Sequence, residues 1–337
     1  MIEIDANEAR RLRARSQLLG GSGLAPADVV ARAGAMQGQD LGSVLRAIAL
    51  RCAPGTTLDD VRAAFDAGQL VRGWPMRGTL FALTPEDLAG FARLTGPRMQ
   101  TSLRARRGNL GLEDRHFELA REVAVAALEA GPIARDELAS RWHDAGVPEG
   151  AGLDYHFTST LAIDGVLALG PFDGRDQLVV RIGPPREDEA AFLARIARAF
   201  FAARGPASID DFAWWTKLPK SLLRPAALAV DGIETISVEG RPMLHLDDGG
   251  GPPPSGAVAL VPGFDEWVLG YQDRSLVGSK EALAAVATVN GIFRPAVLLD
   301  GRIVGTWRPK DGAALVERVN AAAAKAIDAA IAAWPFG

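Results

Sequence analysis

The chain has 337 residues, 48% of them hydrophobic and 23% charged, with a formal net charge of −4. Such a length fits two or three packed units of ordinary globular composition, and the acidic total excludes a histone-like binder, though it can hide a basic face. Cys52 is the only cysteine, which excludes an internal disulfide and a Cys-based zinc cluster and suits a reducing cytoplasm.

Met1 to Arg15 is charged and lacks an apolar h-region, so no secretory signal is expected, and no apolar run approaches the roughly 20 residues that cross a bilayer. Helical spacing predicts helices over Glu8 to Leu19, Pro26 to Met36, Leu41 to Arg51 and Leu58 to Ala67, with Thr56 or Thr57 as a cap. Leu70 to Trp74 and Thr79 to Leu83 read as strands linked by Pro75-Met76-Arg77-Gly78. Helices followed by a β-hairpin are the winged-helix plan, in which the hairpin is the wing.

The plan recurs. Helices are expected over Asp114 to Ala130, Ala134 to Ala145 and Asp154 to Asp164, then strands Val166 to Leu169 and Gln177 to Arg181 around Asp173-Gly174. A third pass gives helices Ala190 to Arg204, Ser208 to Trp215 and Pro219 to Val230, then a hairpin of Ile233 to Val238 and Met243 to Leu246. The phrases EAGPIARDELASRW and AARGPASIDDFAWW both place Gly-Pro before a short strand and a Trp-bearing helix, an internal echo that indicates duplicated units. Gly249 to Gly256 reads as a linker. Beyond it, Ala257 to Val261, Val286 to Val289, Ala296 to Leu299 and Arg302 to Trp307 are strand-like, Asp300-Gly301 is a hairpin turn, and an Ala-rich helix over Gly312 to Ala333 closes the chain. The reading is an α+β protein with winged-helix units over 1–112, 113–185 and 186–248 and a β-rich domain with a terminal helix over 257–337.

Several residues invite chemistry. Gln37-Gly38-Gln39-Asp40 lies between two predicted helices. If Gly38 turns the chain at a helix end, the two amides converge, each offering a donor and an acceptor; otherwise they cap a helix and face solvent. Trp74 and Arg77, on the predicted wing, either enter a DNA groove or leave Trp74 in the core. Arg93, Arg98, Arg104, Arg106 and Arg107 form a basic cluster with no acid between them. Arg104, Arg106 and Arg107 read as phosphate contacts or as a solvated helix end. The four histidines, His116, His143, His156 and His245, show no metal-ligand spacing. Phe264-Asp265-Glu266-Trp267 and Gly270-Tyr271-Gln272-Asp273-Arg274 are dense in charges and aromatics, which fits a carboxylate site or a buried ion-pair corner. No GxGxxG after a strand, P-loop or G-x-S-x-G is present.

At these residues the chain resembles the bacterial winged-helix DNA glycosylases of azinomycin resistance and interstrand-crosslink repair. The likeness spans about Glu8 to Trp334. It rests on Met36-Gln37-Gly38-Gln39-Asp40, Trp74 to Thr79, the Phe264 to Arg274 segment, and Asn290 to Pro295 with Gly305-Thr306-Trp307-Arg308. The resemblance implies three tandem winged-helix units and a C-terminal β-barrel-like domain arranged as a clamp on double-stranded DNA. The family's catalytic motif, Gln, an aliphatic residue, then Gln or Asp, falls on Gln37 and Gln39. Gly38 departs from it, and so does Phe81, where relatives are expected to carry His.

Cleavage of a glycosidic bond passes through an oxocarbenium-like state, and an alkylated purine is a cationic leaving group that needs little acid help. Two amides that orient the sugar and a water are then sufficient, with no metal or cofactor. With no Lys beside the motif, monofunctional hydrolysis is favoured over a Schiff-base lyase. The alternative from another class is a non-catalytic winged-helix regulator. A regulator is expected to dimerise on a palindrome, whereas a clamp works as a monomer.

Overall fold

The computed structural model describes residues 2–247 and 253–336, so part of the expected Gly/Pro linker, residues 248–252, lies outside the described residues. Within it the chain divides into two compact units, one built from Met1–Val61 with Ala194–Gly337 and one from Arg62–Leu193. Among the described residues no helix is long and apolar enough to cross a membrane.

The elements follow local chemistry closely. Asp5 caps the helix Ala6–Ser16 by accepting from the Glu8 N–H at 2.8 Å, and Pro26 opens the helix Pro26–Ala33, where its missing N–H costs nothing. Met36–Gln37 is a two-residue strand, followed by the helices Leu41–Arg51 and Leu58–Asp66 and the strands Val71–Met76 and Thr79–Leu83. The hairpin turn is tighter than expected: Arg77 and Gly78 both have positive φ, 58° and 70°, as a two-residue turn matched to strand twist requires.

The internal echo has a structural counterpart. In the second unit the helix Asp114–Ala127 leads through Gly131-Pro132 to Ile133, which bridges Val179. The helices Arg135–Asp144 and Leu153–Ile163 and the hairpin Leu167–Asp173 and Asp176–Arg181 follow. Later, the helix Glu189–Arg204 leads through Gly205-Pro206 to Ala207, which bridges Leu244. The helices Ile209–Thr216 and Lys220–Leu228 and the hairpin Ile233–Val238 and Arg241–Leu246 follow in turn. In both cases one residue after Gly-Pro pairs with the second hairpin strand.

Four sequence expectations are corrected. A 25-residue helix, Pro85–Asn109, fills a stretch for which only a helix end at Arg104 to Arg107 was expected. Pro97, Gly90 and Gly96 interrupt its pattern, yet Gly96 is needed there, because a Cβ would lie 3.0 Å from the Ile163 carbonyl oxygen. Val286 ends the helix Lys280–Val286 rather than opening a strand, and Thr288 to Ile292 forms a turn. The Ala-rich terminus is helical only over Ala321–Ala332; Gly312–Leu315 is a strand, since pairing with Arg302–Arg308 overrides alanine's helix propensity. Finally, the C-terminal strands form a linear antiparallel sheet, ordered Gly312–Leu315, Arg302–Arg308, Ala296–Leu299, Val258–Val261. Its edge strands do not pair among the described residues, so the expected barrel does not close. Two strands had no sequence signal: Glu3–Ile4, which pairs in parallel with Ile233–Val238, and Met36–Gln37, where the helix expected over Pro26 to Met36 has already ended at Ala33.

In the second unit the core gathers Trp74, Phe117, Trp142, Phe157 and Leu161, and the Trp142 indole N–H donates to the Ala120 carbonyl at 2.9 Å. In the first unit one core joins Val261, Trp267, Val277 and Ile303, while Trp307 and Ile327 pack on the other side of the C-terminal sheet. Cys52 is buried at the end of the helix Leu41–Arg51, and its thiol donates to the Ile48 carbonyl at 3.2 Å. Burial pushes that thiol up to about 12, with Arg51 only partly opposing. At pH 8, roughly four units below, the thiolate fraction is on the order of one part in ten thousand. The native protein is therefore expected to leave Ellman's reagent unreacted at pH 8 and to release one equivalent after denaturation in guanidinium; fast native labelling would contradict this burial.

Candidate functional site

The amide motif leads into the start of a helix rather than following the end of one. Gln37 ends the short extended segment Met36–Gln37, and Asp40 caps the next helix by accepting from the Ser43 N–H at 2.7 Å. Gln37 is buried, 7% exposed, and its side-chain oxygen accepts from the Gly38 N–H at 3.2 Å. Gln39 and Asp40 are exposed. Asp40, spent on its cap and facing outward, is not turned inward as a base would be.

The backbone of Gln37 is fixed from a distance in sequence. Its N–H donates to Glu266 Oε1 at 2.8 Å. Glu266 Oε2 accepts from Arg204 Nε at 3.0 Å and Nη2 at 2.8 Å, and this pair is almost fully buried. The remaining donors of Arg204 reach the carbonyls of Ala33, the last residue of the preceding helix, and Ala35, just before Met36, at 2.9 and 2.8 Å. The guanidinium also lies 4.3 Å from the centroid of the Trp215 ring. Thus both residues flanking Met36 are held by one buried ion pair. Gly270 makes room for it: a Cβ there would come within 2.7 Å of the Glu266 carbonyl oxygen and 3.4 Å of Arg204 Nε.

A second buried pair lies next to the first. Arg51 binds Asp265 through both carboxylate oxygens, at 2.8 and 2.9 Å, and also donates to the Gln17 carbonyl at 2.8 Å and its amide oxygen at 3.0 Å. Gln17 in turn donates to the Tyr271 hydroxyl at 3.1 Å, which donates to the Arg204 carbonyl at 3.0 Å. Burial raises the Tyr271 hydroxyl above its usual range, against the opposing pull of Arg13 and Gln17. Of the two readings of Phe264 to Arg274, the buried ion-pair corner is the one observed. The sequence marked Asp265 and Glu266 but could not pair them with Arg51 and Arg204, which stand 214 and 62 residues away.

The residues expected to contact DNA divide. Trp74 is 3% exposed and packs edge-on against Tyr155 at 5.7 Å, so it belongs to the core of the second unit and is corrected as a groove residue. Trp74 is buried in the cluster of Leu80, Phe117, Trp142 and Phe157, whereas an inserting wedge must protrude. Arg77 occupies the hairpin turn with its guanidinium 5.0 Å from the centroid of the buried Phe81 ring. On the long helix Arg104 and Arg106 are exposed. Arg107 instead folds against Phe117, 4.3 Å from its centroid, and onto the Gln100 side-chain oxygen, and desolvation draws it below the usual guanidinium range. His116 accepts the Glu113 N–H within a capping box, His143 meets Asp154 at 3.0 Å, and His156 is buried, its basicity lowered first by desolvation and then by Arg106 and Arg107. Among the described residues no group of three His, Cys, Asp or Glu converges as a metal site.

The same fold is found in a solved structure of Streptomyces sahachiroi DNA glycosylase AlkZ, with a TM-score of 0.82 over 98% of this chain and 96% of that one, at 24% identity. The model of the DNA glycosylase AlkZ-like family matches residues 30–334, and the chain belongs to that family. It is accordingly a DNA glycosylase, a hydrolase of N-glycosyl bonds. The curated Interstrand DNA cross-link repair glycosylase of Streptomyces sahachiroi is 29% identical over 315 residues, 84% of this chain and 82% of that protein.

Glu266→Ala leaves Arg204 charged and uncompensated in a buried site and frees the Gln37 N–H. A loss of about 3–5 kcal/mol of unfolding free energy is expected from urea titration. An exposed pair such as Arg115–Glu113 should contribute less than about 1 kcal/mol by the same measurement.

Proposed function

We propose that this chain is a monofunctional glycosylase that hydrolyses the N-glycosidic bond of alkylated purines in duplex DNA, bulky or crosslinked adducts included. The observation that carries the reading is the anchoring of Gln37: the backbone on both sides of Met36 is held by the Glu266–Arg204 pair, so the amide stands on a rigid support. Preorganised dipoles of this kind stabilise charge as it develops without reorganising at the moment of reaction. Gln37 orients the deoxyribose or the water. Gln39, exposed one residue before the Asp40 cap, binds the attacking water. Gly38 supplies no side chain between them. The departing base carries its own positive charge, so no strong general acid is needed, and the absence of a Lys beside the motif favours hydrolysis over a lyase step. The likeness to an interstrand DNA cross-link repair glycosylase supports extending the substrate to crosslinks.

The architecture that fits this reading is three tandem winged-helix units, over 1–112, 113–185 and 186–248, ahead of the β-rich domain over 257–337. The recurrence of helix, short strand, two helices and hairpin supports it. We take the working form to be a cytoplasmic monomer on DNA, with Arg77, Arg104 and Arg106 toward phosphates. Release of N7-methylguanine from an alkylated duplex tests the chemistry. Gln37→Ala and Gln39→Ala are each expected to slow release by about a hundredfold or more while duplex binding persists. Undiminished release by the double variant would remove both residues from the mechanism.

A further inference from the structure

Beyond the amide site, one cation at the surface of the first unit is set among aromatic rings. The buried arginines Arg51 and Arg204 each face a carboxylate. Arg274 does not: among the described residues no acidic side chain pairs with it. Its neighbours are rings. The guanidinium carbon lies 5.6 Å from the Trp214 centroid and 5.5 Å from the Phe293 centroid, and its Nε is buried without a hydrogen-bond partner. Desolvation draws its basicity below the usual guanidinium range, so in the absence of a ligand this charge is held at a cost.

The surroundings hold the side chain in place and supply more positive charge. The adjacent carboxylate, Asp273, is turned away, bound to Arg241 at 2.6 Å and to the Ser275 N–H at 2.8 Å. Buried Asp211 clamps the backbone that leads to Arg274 by accepting from the Gln272 N–H at 2.9 Å. Lys217, exposed in a left-handed conformation at the end of the helix Ile209–Thr216, lies 5.3 Å from the other contact ring, Trp214. Phe293 is fixed from behind: its carbonyl accepts from the Phe264 N–H at 3.3 Å, and a Cβ on Gly263 would come within 2.6 Å of that oxygen. Arg294, the next residue, is exposed, and the turn before it displays Val289 and Ile292 to solvent.

A planar cation that lies over aromatic rings and pairs with no carboxylate keeps N–H groups for an anion with two acceptor oxygens, and the geometry of a phosphodiester matches that fork. We propose that Arg274, set against Trp214 and Phe293 with Lys217 over the same Trp214 ring, is a seat for a phosphate of the DNA backbone. The proposal rests on the reading of the chain as a DNA glycosylase, and it adds a contact on the first unit that the wing and the long helix do not provide. It fixes the position of the duplex and reads no sequence.

The test is binding of a fluorescently labelled, undamaged DNA duplex between about 50 and about 200 mM salt. Arg274→Gln is expected to weaken binding roughly three- to tenfold at the low end and to lower the magnitude of the slope of log K against log salt by about 0.9, the signature of one lost phosphate contact. Arg274→Lys keeps the charge but not the planar fork and should fall between. A folded Arg274→Gln protein with wild-type affinity and slope overturns the seat while leaving the glycosylase reading intact. A wild-type protein that binds no duplex overturns both. If Arg274→Gln does not fold, exposed Lys217→Gln decides: a lowered slope supports the seat, and an unchanged one overturns it.

Discussion

The Glu266–Arg204 pair organises the first unit. Two charges without water are costly to hold, and they remain only because every donor and acceptor is satisfied. Here one carboxylate oxygen serves the Gln37 N–H and the other the guanidinium, whose remaining donors reach Ala33 and Ala35. A purely apolar corner could be as stable, but it would not set the position of one peptide group against another. The ion pair does so, and the segment that it positions is the one bearing the amides. The Arg51–Asp265 pair repeats the device one residue earlier, tying the next helix to the same turn.

Much of the secondary structure was legible because local chemistry decided it. The helix Leu41–Arg51 and the strands Ile233–Val238 and Ala296–Leu299 fall where the pattern put them, and the Gly-Pro echo reappears as equivalent bridges at Ile133 and Ala207. The misses lie where tertiary contact overrides local preference. Alanines 313 and 314 join a sheet edge because Trp307 and Thr306 stand opposite. The helix Pro85–Asn109 runs through Pro97 because its flanks pack, against the advice of its own sequence.

The candidate site was legible by type and not by partnership. Gln37 and Gln39 attract notice as amides between helices, but their environments differ, one buried and one exposed, and spacing carries no information on that. Trp74 illustrates the same limit: an aromatic on a predicted wing reads equally as a wedge or a core residue, and only the neighbouring Tyr155 decides. Asp265 and Glu266 were visible as a charged pair, yet what makes them important is a pair of arginines drawn from distant parts of the chain.

The composition of the first unit from two separated stretches bears on how the protein is made. Residues 62–193 are contiguous and own their core, so on a ribosome they can collapse as soon as they emerge. The opening residues cannot. Glu3 and Ile4 wait for Ser237 and Val238, Gln37 for Glu266, and Gln17 for Tyr271. Until those partners are synthesised, Arg51 and Gln37 remain hydrated, and the apolar faces of the first helices are uncovered. The candidate active segment is thus among the earliest parts translated and among the last completed, and a chain truncated before Asp265 lacks the anchors for its own amides.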